Sequence, residues 1–158
     1  MTTPDWTEAH HHFSTSLFNA TWVLLDQPDR TADDEAQMLL RAMASYYHWT
    51  ARADATDRHH SVGAWLIARV QAVLGRAEDA RWWAQRSLTA AERGGLSAFY
   101  VAYAHEALAR AACVRGDAVE ASAQLELAHA LILQVDDLDE RQALVGDLEQ
   151  VGRWRGPS

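Results

Sequence analysis

Apolar residues recur along the middle of the chain at intervals of three and four positions. Such spacing places them on one side of an α-helix, whereas a half-buried strand alternates apolar and polar residues every second position. Runs of β-branched residues are few, and the three prolines, at positions 4, 28 and 157, lie outside the long central stretch. The pattern therefore predicts an all-α protein. It is clearest at Ala64, Ile67, Ala68, Val70, Ala72 and Val73.

Start and stop signals divide the chain into seven helices. Thr3 and Ser97 stand where N-caps are needed, and Thr31 and Asp34 have the spacing of a capping box. Glycine follows three of the helices, as is common at helix ends. We expect a single domain over residues 1–158, with a frayed tail at about 153–158. The predicted helices are 4–26, 32–52, 58–74, 77–93, 98–115, 118–135 and 138–151.

Short loops make consecutive helices antiparallel neighbours, and two of the resulting hairpins repeat one another. Gly75 aligns with Gly116, since 116 − 75 = 41, and Ala80 then aligns with Ala121. In both hairpins the repeat is a triad that consists of this alanine and the residues four and seven positions after it. We expect the same triad in the second helix, 44 residues before the one that begins at Ala80. Its members would be Ala36, Leu40 and Met43.

The segment from Tyr103 to Ala130 resembles the tetratricopeptide repeat. His105 takes the aromatic place of that motif, Leu108 and Ala109 its Leu-Gly pair, Gly116 its turn, and Ala121, Leu125 and Ala128 its second helix. Three departures are an alanine in place of the motif's glycine, a missing closing proline, and a repeat longer than about 34 residues. The resemblance implies a right-handed solenoid of about three antiparallel helical hairpins and a C-terminal capping helix.

In tetratricopeptide folds the first helix of each pair lines a concave groove, and the resemblance transfers this role to named positions. It places Arg69 and Arg110 one above the other, with aromatic rings and a carboxylate beside them. Such guanidiniums can clamp a carboxylate or phosphate, because each fork donates to two oxygens. The alternative is that Arg110 pairs with Glu106 one turn away and that both arginines are solvated. The candidate groove residues are Trp65, Arg69, Tyr103, Glu106 and Arg110.

Eight histidines suggest a second kind of site. His48 ends one predicted helix and His60 begins the next, so the two can lie close together beside Trp65 and Arg69. Together with His105 they would form a polar pocket for a small molecule or for acid–base catalysis. The alternative is that these histidines cap helices or pack in the core. We predict no metal site, because no HExxH motif is present, and no cofactor.

Composition narrows the function classes. Alanine occurs 30 times, and lysine is absent, so that all 14 basic residues are arginine. Without lysine, Schiff-base enzymes, lysine-bound pyridoxal phosphate and the usual P-loop are excluded. A net charge of −8 argues against nucleic acid as a partner. The apolar runs are too short for a membrane span, which needs about 20 residues. We expect a cytoplasmic protein, from a bacterium by its composition.

The expected function is that of a protein- or peptide-binding module that uses its concave groove. The alternative is a small-molecule-binding protein or enzyme using His48, His60, Trp65, Arg69 and His105. A third prediction is a homodimer through Trp82 or Trp83, which point about 100° apart on a helix so that both cannot face the core. Cys113 is expected to be a small core residue and not a nucleophile.

Overall fold

The computed structural model describes residues 6–154. This part of the chain is all-α and contains no strand, which confirms the predicted class. The predicted limits hold to within about three residues, and the largest difference is the earlier end of α6. The predicted cap Thr3 and residues 155–158 of the predicted tail lie outside the described residues. The helices are α1 (Trp6–Leu25), α2 (Ala32–Ala51), α3 (Asp57–Val73), α4 (Ala77–Arg93), α5 (Ala98–Arg115), α6 (Ala118–Ile132) and α7 (Leu138–Gly152).

Local signals account for most of these helix ends. The capping box before α2 is confirmed: Asp34 N–H donates to Thr31 Oγ1 at 3.2 Å, and Thr31 N–H donates to Asp34 Oδ2 at 2.9 Å. Ser97 occupies the N-cap position of α5, as predicted, but its side chain makes no capping hydrogen bond. Gly75 and Gly116 adopt φ of +72° and +79°, where a side chain would be strained, and so permit the tight turns after α3 and α5.

The helices form two layers. Within the described chain, the backbones of the even-numbered helices α2, α4 and α6 approach only those of their neighbours in sequence, and a ring contact between Tyr46 and Trp83 also joins α2 to α4. The odd-numbered helices also pack against one another, α1 on α3, α3 on α5, and α5 on α7. The fold is thus a stack of three helical hairpins with the odd-numbered helices on one side. At one end of the stack, α7 covers α5 and α6.

Alanine permits the close approach of these layers. Four buried alanines meet at the junction of α3, α4 and α5, where larger side chains would hold the helices apart. They are Ala68, Ala84, Ala104 and Ala107. The repeat seen in the sequence has the same cause, since the aligned residues Ala80 and Ala121 are both buried.

The register predicted for α2 is wrong. Leu40 is 62% exposed, and Ala36 and Met43 are exposed as well. The buried residues of this helix are Met38, Ala42 and Ser45. These align with Ala80, Ala84 and Ser87 at an offset of 42, since 80 − 38 = 42. A shift of two residues rotates a helical position by about 200°, and thus moves it to the opposite face.

No helix in residues 6–154 is both long and apolar enough to cross a membrane.

Candidate functional site

The five predicted groove residues converge on one side of α3 and α5, around the carboxylate of Glu106. Glu106 is fully buried and Arg110 is only 3% exposed. The Arg110 guanidinium donates to Glu106 Oε1 from Nε at 2.9 Å and from Nη2 at 2.5 Å. The indole N–H of Trp65 donates to Glu106 Oε2 at 3.1 Å. Arg110 therefore makes the pairing with Glu106 that was the alternative to an anion clamp, but the expectation that both arginines are solvated is wrong, because Arg110 is buried and the Arg69 side chain is only 11% exposed.

Helix α7 completes this network. Both terminal nitrogens of Arg69 donate to Asp147 Oδ1 at 3.2 Å, and the hydroxyl of Tyr103 donates to Asp147 Oδ2 at 3.0 Å. Gln150 accepts hydrogen bonds from both Arg69 and Arg110. Burial and the neighbouring Asp147 raise the pKa of Tyr103, so its hydroxyl stays protonated. Two arginines and two carboxylates balance, and neither guanidinium is free of an acidic partner.

Sequence reasoning missed the partners that α7 supplies. Asp147 lies 78 residues from Arg69 in the chain, and its spacing from Arg69 carries no local signal. An indirect signal was present: the buried stripe Leu144, Leu148 and Val151 shows which face of α7 meets the stack, and Asp147 lies beside it.

An aromatic groove runs beside this network, between α1 and α5 and over α3. One part is a cavity of about 280 Å³ with two buried hydroxyls, Ser61 and Ser87, 3.3 Å apart. An adjoining cavity of about 410 Å³ shares four lining residues with it, so the two form one groove. The shared residues are Phe18, Val62, Phe99 and Tyr100. Trp22, Trp65 and Tyr103 line only the first cavity, and Thr15, Trp49, Arg58 and His59 only the second.

The aromatic groove is free of acidic side chains, although the protein carries a net charge of −8. No Asp or Glu is among the described residues that line either cavity. The only strongly basic group there is the exposed Arg58 at one end. Rings of seven Phe, Trp and Tyr residues form most of the wall, and two of them are held from behind: Trp65 by Glu106 and Tyr103 by Asp147. This arrangement suits an apolar ligand with an acidic group at the Arg58 end.

The three histidines of the predicted polar pocket lie in three different places. His48 shares a hydrogen bond with His10 of α1, with 2.9 Å between the Nδ1 atoms. His60 packs edge-on against Tyr46, and His105 contacts Gln124 of α6 at 2.7 Å. Each points toward a different neighbouring helix, so the fold does not bring them together. Within residues 6–154, no group of three His, Cys, Asp or Glu side chains could hold a metal ion.

The remaining candidates are also placed. Trp83 is half-buried against Tyr46, at 5.2 Å between ring centroids, whereas Trp82 is 55% exposed. The guanidinium of Arg86 covers one face of the Trp82 ring at 4.7 Å. Cys113 is half-buried, and burial raises the pKa of its thiol, which disfavours the nucleophilic thiolate.

One of the residues that line the aromatic groove, His59, also caps the start of α3. The backbone N–H of Thr56 donates to Nδ1 of His59 at 3.0 Å, which requires an unprotonated nitrogen. The ring stacks on Trp49 at 4.5 Å between centroids. Burial, followed by the positive charges of Arg52 and Arg58, lowers the pKa of His59 below its usual 6.5. The unfolded chain therefore binds this proton at a higher pH than the folded protein does.

We expect stability to be highest above pH 6.5 and to fall as the pH drops through the lowered pKa of His59. His59→Gln keeps an acceptor that does not titrate, so its melting temperature should fall less between neutral and mildly acidic pH. Thermal melts of both proteins across that range measure the difference. The exposed His12→Gln is the control and should keep the full pH dependence. If the melting temperature falls equally with pH in the wild type and in His59→Gln, this contact does not contribute to the pH dependence of stability.

Comparison with known proteins finds no match. No protein-family model, no curated protein and no solved structure matches the chain. What the site does must therefore be inferred from its own geometry.

Proposed function

We propose that this protein is a peptide-binding module of tetratricopeptide-like architecture, and that the aromatic groove holds the peptide. The two-layer packing supports the architecture, because the odd-numbered helices adjoin one another as the first helices of such repeats do. The left-handed glycines at 75 and 116 support it too, since they close successive hairpins at the same register. A right-handed solenoid is part of the proposal.

The open, ring-lined groove is the observation that carries the binding role. A folded chain normally fills such space, and contiguous exposed apolar surface commonly marks an interaction site. Its volume of about 280 Å³ accommodates one large side chain, and the adjoining 410 Å³ accommodates more of the same segment. We infer that the ligand is an extended segment with an aromatic or large aliphatic side chain.

The charges around the groove indicate a second feature of this ligand. Among the described residues, those that line the groove include no carboxylate to repel an acidic ligand, and Arg58 provides a positive charge at the Trp49 end. We therefore expect an Asp or Glu a few residues from the apolar anchor. The paired Arg69 and Arg110 have a different part in the proposal: their network holds Trp65 and Tyr103 as rigid walls, which lowers the entropy lost on binding.

A small aromatic molecule is the second candidate. The cavity with Ser61 and Ser87 favours it, because few polar groups in an otherwise apolar pocket are typical of small-molecule sites. Of the residues predicted for this alternative, Trp65 and Arg69 lie together, while His48, His60 and His105 have separate partners.

Selection from a displayed library of random peptides tests the proposal. We expect the wild-type protein to enrich sequences that combine an aromatic or large aliphatic residue with a nearby acid. Val62 faces both cavities, so Val62→Trp fills the groove and should reduce affinity for the enriched peptides by about tenfold or more, equivalent to about 1.4 kcal/mol.

The control is Val119→Trp on α6, where the native side chain is 82% exposed and lines neither cavity. It should bind as the wild type does. Enriched peptides that bind Val62→Trp and wild type equally would refute the groove as the site. If the library yields no peptide but small aromatic compounds bind in the groove, the second candidate is favoured.

A further inference from the structure

A second apolar surface lies on the outer side of the first hairpin, away from the aromatic groove. Five large side chains there are between 42% and 63% exposed. We call this surface the hairpin patch. Its members are Trp6 and Phe13 of α1, and Leu40, Met43 and Tyr47 of α2.

Ring contacts show that the hairpin patch is continuous. His10 lies 6.4 Å from Trp6 and 6.1 Å from Tyr47, measured between ring centroids. His48 lies 5.3 Å from Phe13 and 5.4 Å from Tyr47. The hydrogen-bonded His10–His48 pair thus joins the α1 and α2 parts of the patch. Leu40, Met43 and Tyr47 continue along one face of α2.

Nothing in the described chain packs onto this surface. At one end of the stack α7 covers the last hairpin, whereas α2 packs against α1 and α3, and its ring contact with α4 is made by Tyr46, which is not a member of the patch. The exposed apolar area of the patch is on the order of 500 Å², as large as the largest patches of typical monomers, which are often functional. A standard interface buries about 800 Å² on each partner, so this patch with its polar rim has the right size.

The spacing of the α2 residues fits another helix. Ala36, Leu40, Met43 and Tyr47 follow one another at steps of four, three and four, the spacing of a coiled-coil seam. Two copies of one surface can pair about a two-fold axis, because such an interface needs no second kind of surface. The first turn of α2 carries Asp33, Asp34 and Glu35, so parallel α2 helices would place these acids side by side.

We propose that the hairpin patch is a homodimer interface in which the α2 helices of two copies pack antiparallel about a two-fold axis. Antiparallel packing keeps the acidic first turns apart and aligns the helix dipoles favourably. It places Leu40 of each copy close to Met43 of the other. This inference is independent of the peptide-binding proposal, since the hairpin patch and the aromatic groove have no lining residue in common.

Analytical ultracentrifugation of the full chain over a range of concentrations tests this interface. We expect the wild type to dimerise, and Leu40→Glu to raise the dimer dissociation constant by about tenfold or more. Leu40 is exposed, so the variant should keep its helical circular dichroism. Met43→Glu, at a second place in the same seam, should have the same effect.

Two matched variants complete the experiment. Val119→Glu changes an exposed apolar residue outside the patch and should dimerise as the wild type does. Trp82→Glu tests the alternative interface on α4 that the sequence suggested. A wild-type protein that is monomeric at the highest concentration would overturn the proposal. So would a dimer that Trp82→Glu dissociates and Leu40→Glu leaves intact.

Discussion

Arg110→Ala is expected to lower the free energy of unfolding by about 3–5 kcal/mol, because it leaves a buried carboxylate without its hydrogen-bonded ion-pair partner. Glu106 is fully buried, and Arg110 supplies two of the hydrogen bonds to its Oε1. The remaining strong donor, Trp65, reaches the other oxygen. Arg69 lies 3.8 Å from Oε1, but its hydrogen bonds go to Asp147 and Gln150. Arg69 therefore keeps an ion pair with Glu106 but does not replace the two hydrogen bonds that Arg110 donates.

Urea unfolding of Arg110→Ala, Glu106→Ala and the double variant measures this interaction. The double variant removes both charges, so we expect it to lose clearly less stability than the two single losses combined. Arg153→Ala, which breaks an exposed pair with Glu149, is the control and should change stability by less than about 1 kcal/mol. Additive losses would mean that Arg110 and Glu106 do not stabilise one another.

This expectation also determines how the proposed function is tested. Substituting both groove arginines would have been the direct test of an anion clamp, but it would disturb the buried network before it reported on binding. A loss of peptide capture in such a variant would not separate recognition from folding. Val62→Trp avoids the difficulty, because Val62 lines the groove and its apolar side chain donates and accepts no hydrogen bond in the charged network.

Met38→Ala is expected to destabilise the protein by about 2–5 kcal/mol, the usual loss for a fully buried large side chain. Met38 has no exposed surface and packs in a core cluster with Leu24, Leu66, Ile67 and Val70. Truncation removes apolar contacts from α1 and α3 at once and leaves a cavity that rigid helices fill poorly. Urea unfolding at low protein concentration measures the loss without a contribution from association.

Leu40→Ala is the matched comparison, two residues further along the same helix. Leu40 is exposed, so its truncation should change the stability of the monomer by less than about 0.5 kcal/mol. The opposite result, with Leu40→Ala the more destabilising of the two, would restore the register first predicted from the repeat. It would also remove the hairpin patch from the surface.

The seven helices were predictable because their signals are local. Capping residues, turn glycines and the helical period act within one or two turns, as the reciprocal bonds of Thr31 and Asp34 show. The register of α2 was not predictable in the same way. Its exposed set Leu40 and Met43 and its buried set Met38 and Ala42 are both apolar. Period alone does not say which of two apolar stripes meets the core.

The candidate site also has one part that the sequence predicts and another part that it does not. Its five residues share one face because α3 and α5 repeat at a spacing of 41, so their convergence was predictable from sequence. The partners Asp147 and Gln150 come from α7, and the groove wall Phe18 comes from α1. No local pattern links these positions to α3 and α5. The predicted histidine pocket failed to assemble for the same reason, since its members face three different helices.

The sequence alone thus determined the class of the fold, the number of its helices and the hairpin repeat, because helix propensity, caps and turns depend on neighbouring residues. Only the tertiary structure decided which apolar stripe of α2 is buried, and that Arg69 and Arg110 are held by acids. The tertiary structure also showed that the open groove lies next to the charged network of Arg69 and Arg110, and that these arginines do not line it. These outcomes depend on how distant helices pack, and packing is set by all of their surfaces together.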